Sequence, residues 1–152
     1  MRALLPALLA AFFLTGPALA ELPPEAYRIT PTSDPAAPFG VYIPKDLDDA
    51  FGELKKMLSL ALVRDMRYRP EGEMAVHHQG LGRWLRNNWG LWTGSRLSKY
   101  FNDLGIDHPD DMSAIILDSF WRHLNDRPLD LQAQIAYYKA YWEKAAKDKP
   151  RR

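Results

Sequence analysis

Residues 110–124 read DDMSAIILDSFWRHL, and this stretch sets the expected fold class. At about 100° per residue, Met112, Ile115, Ile116, Ser119 and His123 share one face of a helix. Leu117, Phe120, Trp121 and Leu124 cover most of the rest. A helix that is apolar nearly all round belongs in the interior, with other helices packed about it. Its start is also marked. Asp107-His108-Pro109-Asp110-Asp111 places proline in the first turn and two acids where the helix dipole favours them.

The flanking segments are helical as well. On the C-terminal side, Asn125-Asp126-Arg127-Pro128 reads as a turn. Asp130 is then placed to cap a last helix with Leu131, Ile135, Tyr138, Trp142 and Ala145 on one stripe. On the N-terminal side, Ser95 is an N-cap for Arg96–Leu104 and Gly105 a stop. Leu47, Ala50, Phe51, Leu54, Met57 and Leu58 recur at three- and four-residue steps behind Asp46, Asp48 and Asp49. A short helix over Leu60–Tyr68 should end at Pro70 and Gly72. A longer one should run from Glu73 through the tryptophan segment to Gly90 or Gly94. There is no convincing strand alternation, internal repeat or heptad. The expected class is all-α: an irregular single-domain bundle of about five or six helices over residues 45–147.

The two ends differ in character. Residues 1–20 have the form of a secretory signal peptide, with Arg2, the apolar run Ala3–Leu14 and the small residues Ala18 and Ala20. Cleavage is expected after Ala20. This predicts a periplasmic or secreted protein. The run is short for a membrane span, which needs about 20 residues, and no later segment is long and apolar enough to be one. Residues 21–44 carry six prolines, which argue against regular helix and for an extended, partly mobile arm. Phe39, Val41, Tyr42 and Ile43 should pin its end. Residues 148–152 close a basic run that begins at Lys144, read as a solvated tail.

Composition narrows the chemistry. Basic and acidic residues number 20 and 19, and loss of Arg2 with the leader balances them. No broad positive field remains, so nucleic acid is not an expected partner. The chain has no cysteine, which excludes disulfides and thiolate zinc sites. The adjacent His77 and His78 point about 100° apart on a helix and are badly placed to share an ion. Asp107, His108, Asp110 and Asp111 do not follow the spacing of a calcium loop, and a helix start explains them. No metal and no cofactor is implied. A nucleophile elbow and a phosphate-binding glycine loop are both absent.

Two groups of residues remain as candidates. Polar side chains on apolar faces need partners, because an unpaired buried polar group costs about 1–3 kcal/mol. His77, Asn88, Ser119 and His123 are such residues. With Asp111 they would make a catalytic pocket if they converged, or a closed core network if they did not. The second group lies in residues 81–92, LGRWLRNNWGLW. A helical wheel puts Trp84 and Trp92 in the core and Trp89 to the side. Arg83, Arg86, Asn87, Trp89 and Arg96 then form an aromatic–arginine surface of the kind that dominates interfaces.

The words LGRWLRNNWGLW at 81–92, SRLSKYF at 95–101, GIDHPDDMSAIIL at 105–117 and WRHLN at 121–125 carry a resemblance. From Ile43 to Trp142 the chain resembles a bacterial family of small domains of unknown function. The resemblance implies a compact helical module and no activity. Three functions therefore compete. The first is an exported module binding a periplasmic protein, a peptide or a cell-wall component. The second is a hydrolase with a histidine-centred pocket. The third is a structural protein without a ligand.

Overall fold

A computed structural model describes residues 22–148. The expected leader, together with Glu21, and the tail from Lys149 onward lie outside the described residues. Among the described residues there are six α-helices: α1 (Leu47–Met57), α2 (Leu60–Tyr68), α3 (Arg83–Asn88), α4 (Arg96–Asp103), α5 (Pro109–Leu124) and α6 (Leu131–Lys147). The described residues contain no strand, only one isolated antiparallel bridge between Ser33 and Val41. The all-α bundle is thus present. Helix α5 is its centre: Asp111–Leu117 and Ser119–Trp121 are all buried. The other five α-helices and the segment linking α2 to α3 all pack on it.

Local chemistry sets most boundaries. Asp46 caps α1 by accepting from the Asp49 N–H at 2.9 Å. Ser59 caps α2 and also donates its hydroxyl to the Ala26 carbonyl at 2.7 Å. Ser95 and Ser98 form a reciprocal capping box at the start of α4. Gly105, at φ +81°, ends that helix, with the Ile106 N–H reaching back to the Phe101 carbonyl.

The segment before α3 departs from expectation. In place of one α-helix from Glu73, residues Glu71–His77 wind as 3-10 helix and His78–Gly82 as π-helix, and only Arg83–Asn88 is α. Gly80 and Gly82 supply no side chains to hold α winding across this stretch. Gly82 also leaves room for the Arg86 guanidinium: a Cβ there would stand 3.3 Å from Arg86 Nη1, while Leu117 Cδ1 on α5 would be in ordinary contact at 3.6 Å. The changed winding invalidates a uniform wheel over 74–92. The buried stripe is Leu81, Leu85 and Trp89, at four-residue steps. Trp84 is half-buried. Trp92, expected in the core, lies beyond the helix end set by Gly90 (φ +65°) and is 53% exposed.

The arm is held along its length rather than only at its end. Thr30 donates its N–H to the Met57 carbonyl and Thr32 to Glu53 Oε1, both at 2.9 Å. Tyr42 donates its hydroxyl to Asp49 Oδ2, and Arg96 Nε donates to the Ile43 carbonyl at 2.6 Å. Asp130 precedes α6 in the left-handed conformation (φ +47°) and makes no side-chain cap. Its carboxylate accepts from Arg122 Nη1 instead. Helix α6 fully buries only Ile135.

Candidate functional site

The polar residues expected to converge are held by different neighbours. His77 is buried with Nε2 3.8 Å from Asp65 Oδ2 on α2, too far for a hydrogen bond. Burial pulls its pKa below the usual imidazole range, against the pull of Asp65. Asn88 Nδ2 donates to the Trp84 carbonyl of its own helix at 2.8 Å. Ser119 accepts from Gln134 Nε2 at 3.1 Å across the α5–α6 interface. His123 stacks on Phe51 at 4.7 Å between ring centres and meets Lys55 Nζ at 2.7 Å. The ammonium can only donate, so Nε2 accepts and the ring is neutral. Burial, followed by Lys55, lowers its pKa accordingly. Asp111 accepts from Trp142 Nε1 of α6 at 2.6 Å.

The aromatic–arginine surface is corrected by burial. Trp89, its expected contact residue, is 0% exposed and packs edge-on against Trp84 at 6.3 Å. Arg86 is buried too. It donates to Ser113 Oγ at 2.8 Å, and its Nε lies 3.0 Å from Asp110 Oδ1 as an ionic contact rather than an aligned hydrogen bond. Arg96 is spent on the arm, donating to the Ile43 carbonyl and lying over the Tyr42 ring at 4.9 Å. Arg83 and Asn87 stay exposed, Arg83 bonding Gln79. Four-residue spacing from Leu81 and Leu85 is the signal that would have placed Trp89 inside.

A concave site lies elsewhere. The loop Gly105–His108, the first turn of α5 and the outer half of α6 enclose a pocket of about 370 Å³, a ligand-sized volume. Gly105 and Ile106 line it from the loop, Asp107, His108 and Asp111 from the α5 start, and Tyr138, Lys139, Trp142 and Glu143 from α6. Gly105 suits the turn at this edge because its φ of +81° lies in the left-handed region that side chains rarely adopt; the neighbouring Lys139 Nζ is the end of a flexible side chain. The Trp142 ring stacks on His108 at 4.9 Å, which together with the indole bond to Asp111 ties α6 to α5. His108 Nδ1 is buried without a hydrogen-bond partner. Burial, with Asp118 and Asp111 adding, pushes the Tyr138 hydroxyl up to about 12, so it stays protonated at neutral pH.

The outer face of α6 beside this pocket is aromatic. Tyr137 is 66%, Tyr141 56% and Trp142 44% exposed. The pocket escaped the sequence reading because its walls come from segments some thirty residues apart. The available signal was Tyr137-Tyr138 followed by Tyr141-Trp142, which is more aromatic rings than one stripe can bury. Asp107, His108, Asp110 and Asp111 do not gather for an ion. Asp107 accepts from Asn102, Asp110 pairs with Arg86 and Asp111 accepts from Trp142. Among the described residues, no three His, Asp or Glu side chains could hold a metal, and no helix is long and apolar enough to cross a membrane.

These features define a small all-α domain with a pocket between its central and last helices. Residues 43–124 match a family described as a domain of unknown function, DUF6794, and the chain belongs to that family. The match ends at Leu124, short of the extent to Trp142 expected from the resemblance, so α6 and the arm up to Tyr42 lie outside it. Comparison with curated proteins and with solved structures returns no significant match.

Proposed function

We propose that this protein is an exported binding module that engages a protein or peptide partner through the outer face of α6 and the adjoining pocket. The observation that carries the reading is the exposure of Tyr137, Tyr141 and Trp142 beside a ligand-sized pocket. Aromatic rings are the side chains most enriched in the energetic centres of interfaces, and contiguous exposed apolar area marks interaction sites. Export is supported by the form of residues 1–20, which places the partner in the periplasm or outside the cell. The hydrolase alternative draws no support from His77, Asn88, Asp111, Ser119 and His123, each of which has a different neighbour.

Site-specific photocrosslinking tests the reading. A benzophenone side chain at position 141 should give a discrete crosslinked adduct in cells, and one at position 87 should not. The crosslinked species should begin at Glu21. Equal adducts at both positions, or none at 141, would count against α6 as the contact surface. A retained leader would count against export.

A further inference from the structure

We propose that the pocket between the Gly105–His108 loop and α6 receives a primary ammonium group, the side-chain end of a lysine on a peptide partner. The inference rests on the reading of α6 and its pocket as the binding surface. It adds the chemical class that the pocket selects.

The charges at the pocket come first. Three carboxylates line it, Asp107, Asp111 and Glu143, against the single ammonium of Lys139. The lining is therefore net negative, and a concave site with low-dielectric walls focuses that field on whatever enters. Asp111 is the most informative of the three. It is only 8% exposed, and one of its oxygens is taken by the Trp142 indole N–H. The other oxygen has no hydrogen-bond partner among the described residues. That oxygen is not shut off from solvent, so it is open to an entering donor, and a carboxylate this largely buried gains more from a charged donor than an exposed one does.

The walls point the same way. The rings of Tyr138 and Trp142 line the pocket. A cation within about 6 Å of a ring face is attracted by its quadrupole, most strongly where water is excluded, and Tyr138 is the lining ring not stacked on His108. The butyl stem of a lysine would run along this apolar lining while its ammonium meets the carboxylates. A volume of about 370 Å³ accommodates one such side chain. A sugar ring fits less well. It stacks on an open aromatic face, and Trp142 is already stacked with His108 and set edge-on against Tyr141.

The test uses the mature chain, Glu21–Arg152, labelled with nitrogen-15. The indole N–H resonance of Trp142, assigned by its loss in Trp142→Phe, is followed during titration with Nα-acetyl-lysine amide. A saturable shift is expected, at least tenfold weaker for the isosteric norleucine amide. The double variant Asp107→Asn/Glu143→Gln should weaken lysine binding at least fivefold. Lys139→Gln should strengthen it, because it removes the one opposing charge, and that gain is not what a damaged fold would produce. Equal shifts with lysine and norleucine amides, no shift at all, or weakening by Lys139→Gln would overturn the proposal. So would a response to N-acetylglucosamine and not to lysine. Pentane-1,5-diamine binding tenfold tighter than the lysine probe would overturn the peptide source. Failure of the lysine probe alongside a discrete adduct at position 141 would remove this inference and leave the binding module standing.

Discussion

Trp89 shows how much depends on a single residue. It is the largest fully buried side chain among the described residues, and it sits one turn after Leu85 and two after Leu81. Replacing it with alanine leaves a cavity in the hydrophobic core, beside Trp84. Trp89→Ala is expected to cost about 3–5 kcal/mol by chemical denaturation, the range for large aromatic truncations in a core. Trp92→Ala, at an exposed position beyond the helix end, should stay within about 1 kcal/mol of the parent. Equal losses would contradict the assignment of Trp89 to the core and Trp92 to the surface. The four-residue step was legible in the sequence. The switch of winding at Gly80 and Gly82 was not, because a glycine pair permits several helical forms and the packing of the segment on α5 decides among them.

At the scale of elements, the caps were readable and the partners were not. Ser95 was recognisable as a helix start because its hydroxyl satisfies N–H groups a few residues away, which is a local matter. Ser95→Ala removes the acceptor for the Ser98 N–H, and a loss of about 1 kcal/mol is expected in thermal or denaturant unfolding. A loss below about 0.3 kcal/mol would mean that the capping box contributes little to α4. Asp130 teaches the converse. It had the right residue type for a cap, yet Arg122, eight residues earlier, claims its carboxylate, and the backbone there is left-handed. Residue type proposes a cap, and competition from a charged neighbour can remove it.

At the scale of the whole molecule, two opposed sets of ionisable groups set the response to pH. Burial is the main cause of the lowered pKa values of His77, His78 and His123. Each imidazole therefore binds its proton more readily in the unfolded chain, and stability falls as pH drops below about 6.5. Asp118 works the other way. Burial, with Glu71 adding and Arg122 opposing, raises its carboxyl to about 6. The folded state then takes up this proton first, so the cost of a charged Asp118 is full above pH 6 and disappears toward pH 4. Asp118→Asn should melt higher than the parent at pH 7.5, and the difference should vanish by pH 4. Thermal melts at several pH values check this, and a variant less stable than the parent at pH 7.5 would contradict it. Between pH 7 and 5 the variant should also lose stability more steeply than the parent, since proton uptake by Asp118 no longer offsets the effect of His77, His78 and His123.

The central place of α5, the division into helices and most of their ends follow from groups within a few residues of one another: apolar spacing, hydroxyl and carboxylate caps, and glycine at left-handed positions. Those energies are local, so the order of residues specifies them directly. The use of Arg86 and Arg96 as braces and the pocket under α6 arise from contacts between residues 27 to 53 positions apart. Such contacts depend on how whole helices pack, and a pattern along one helix does not encode the face that its neighbour will cover.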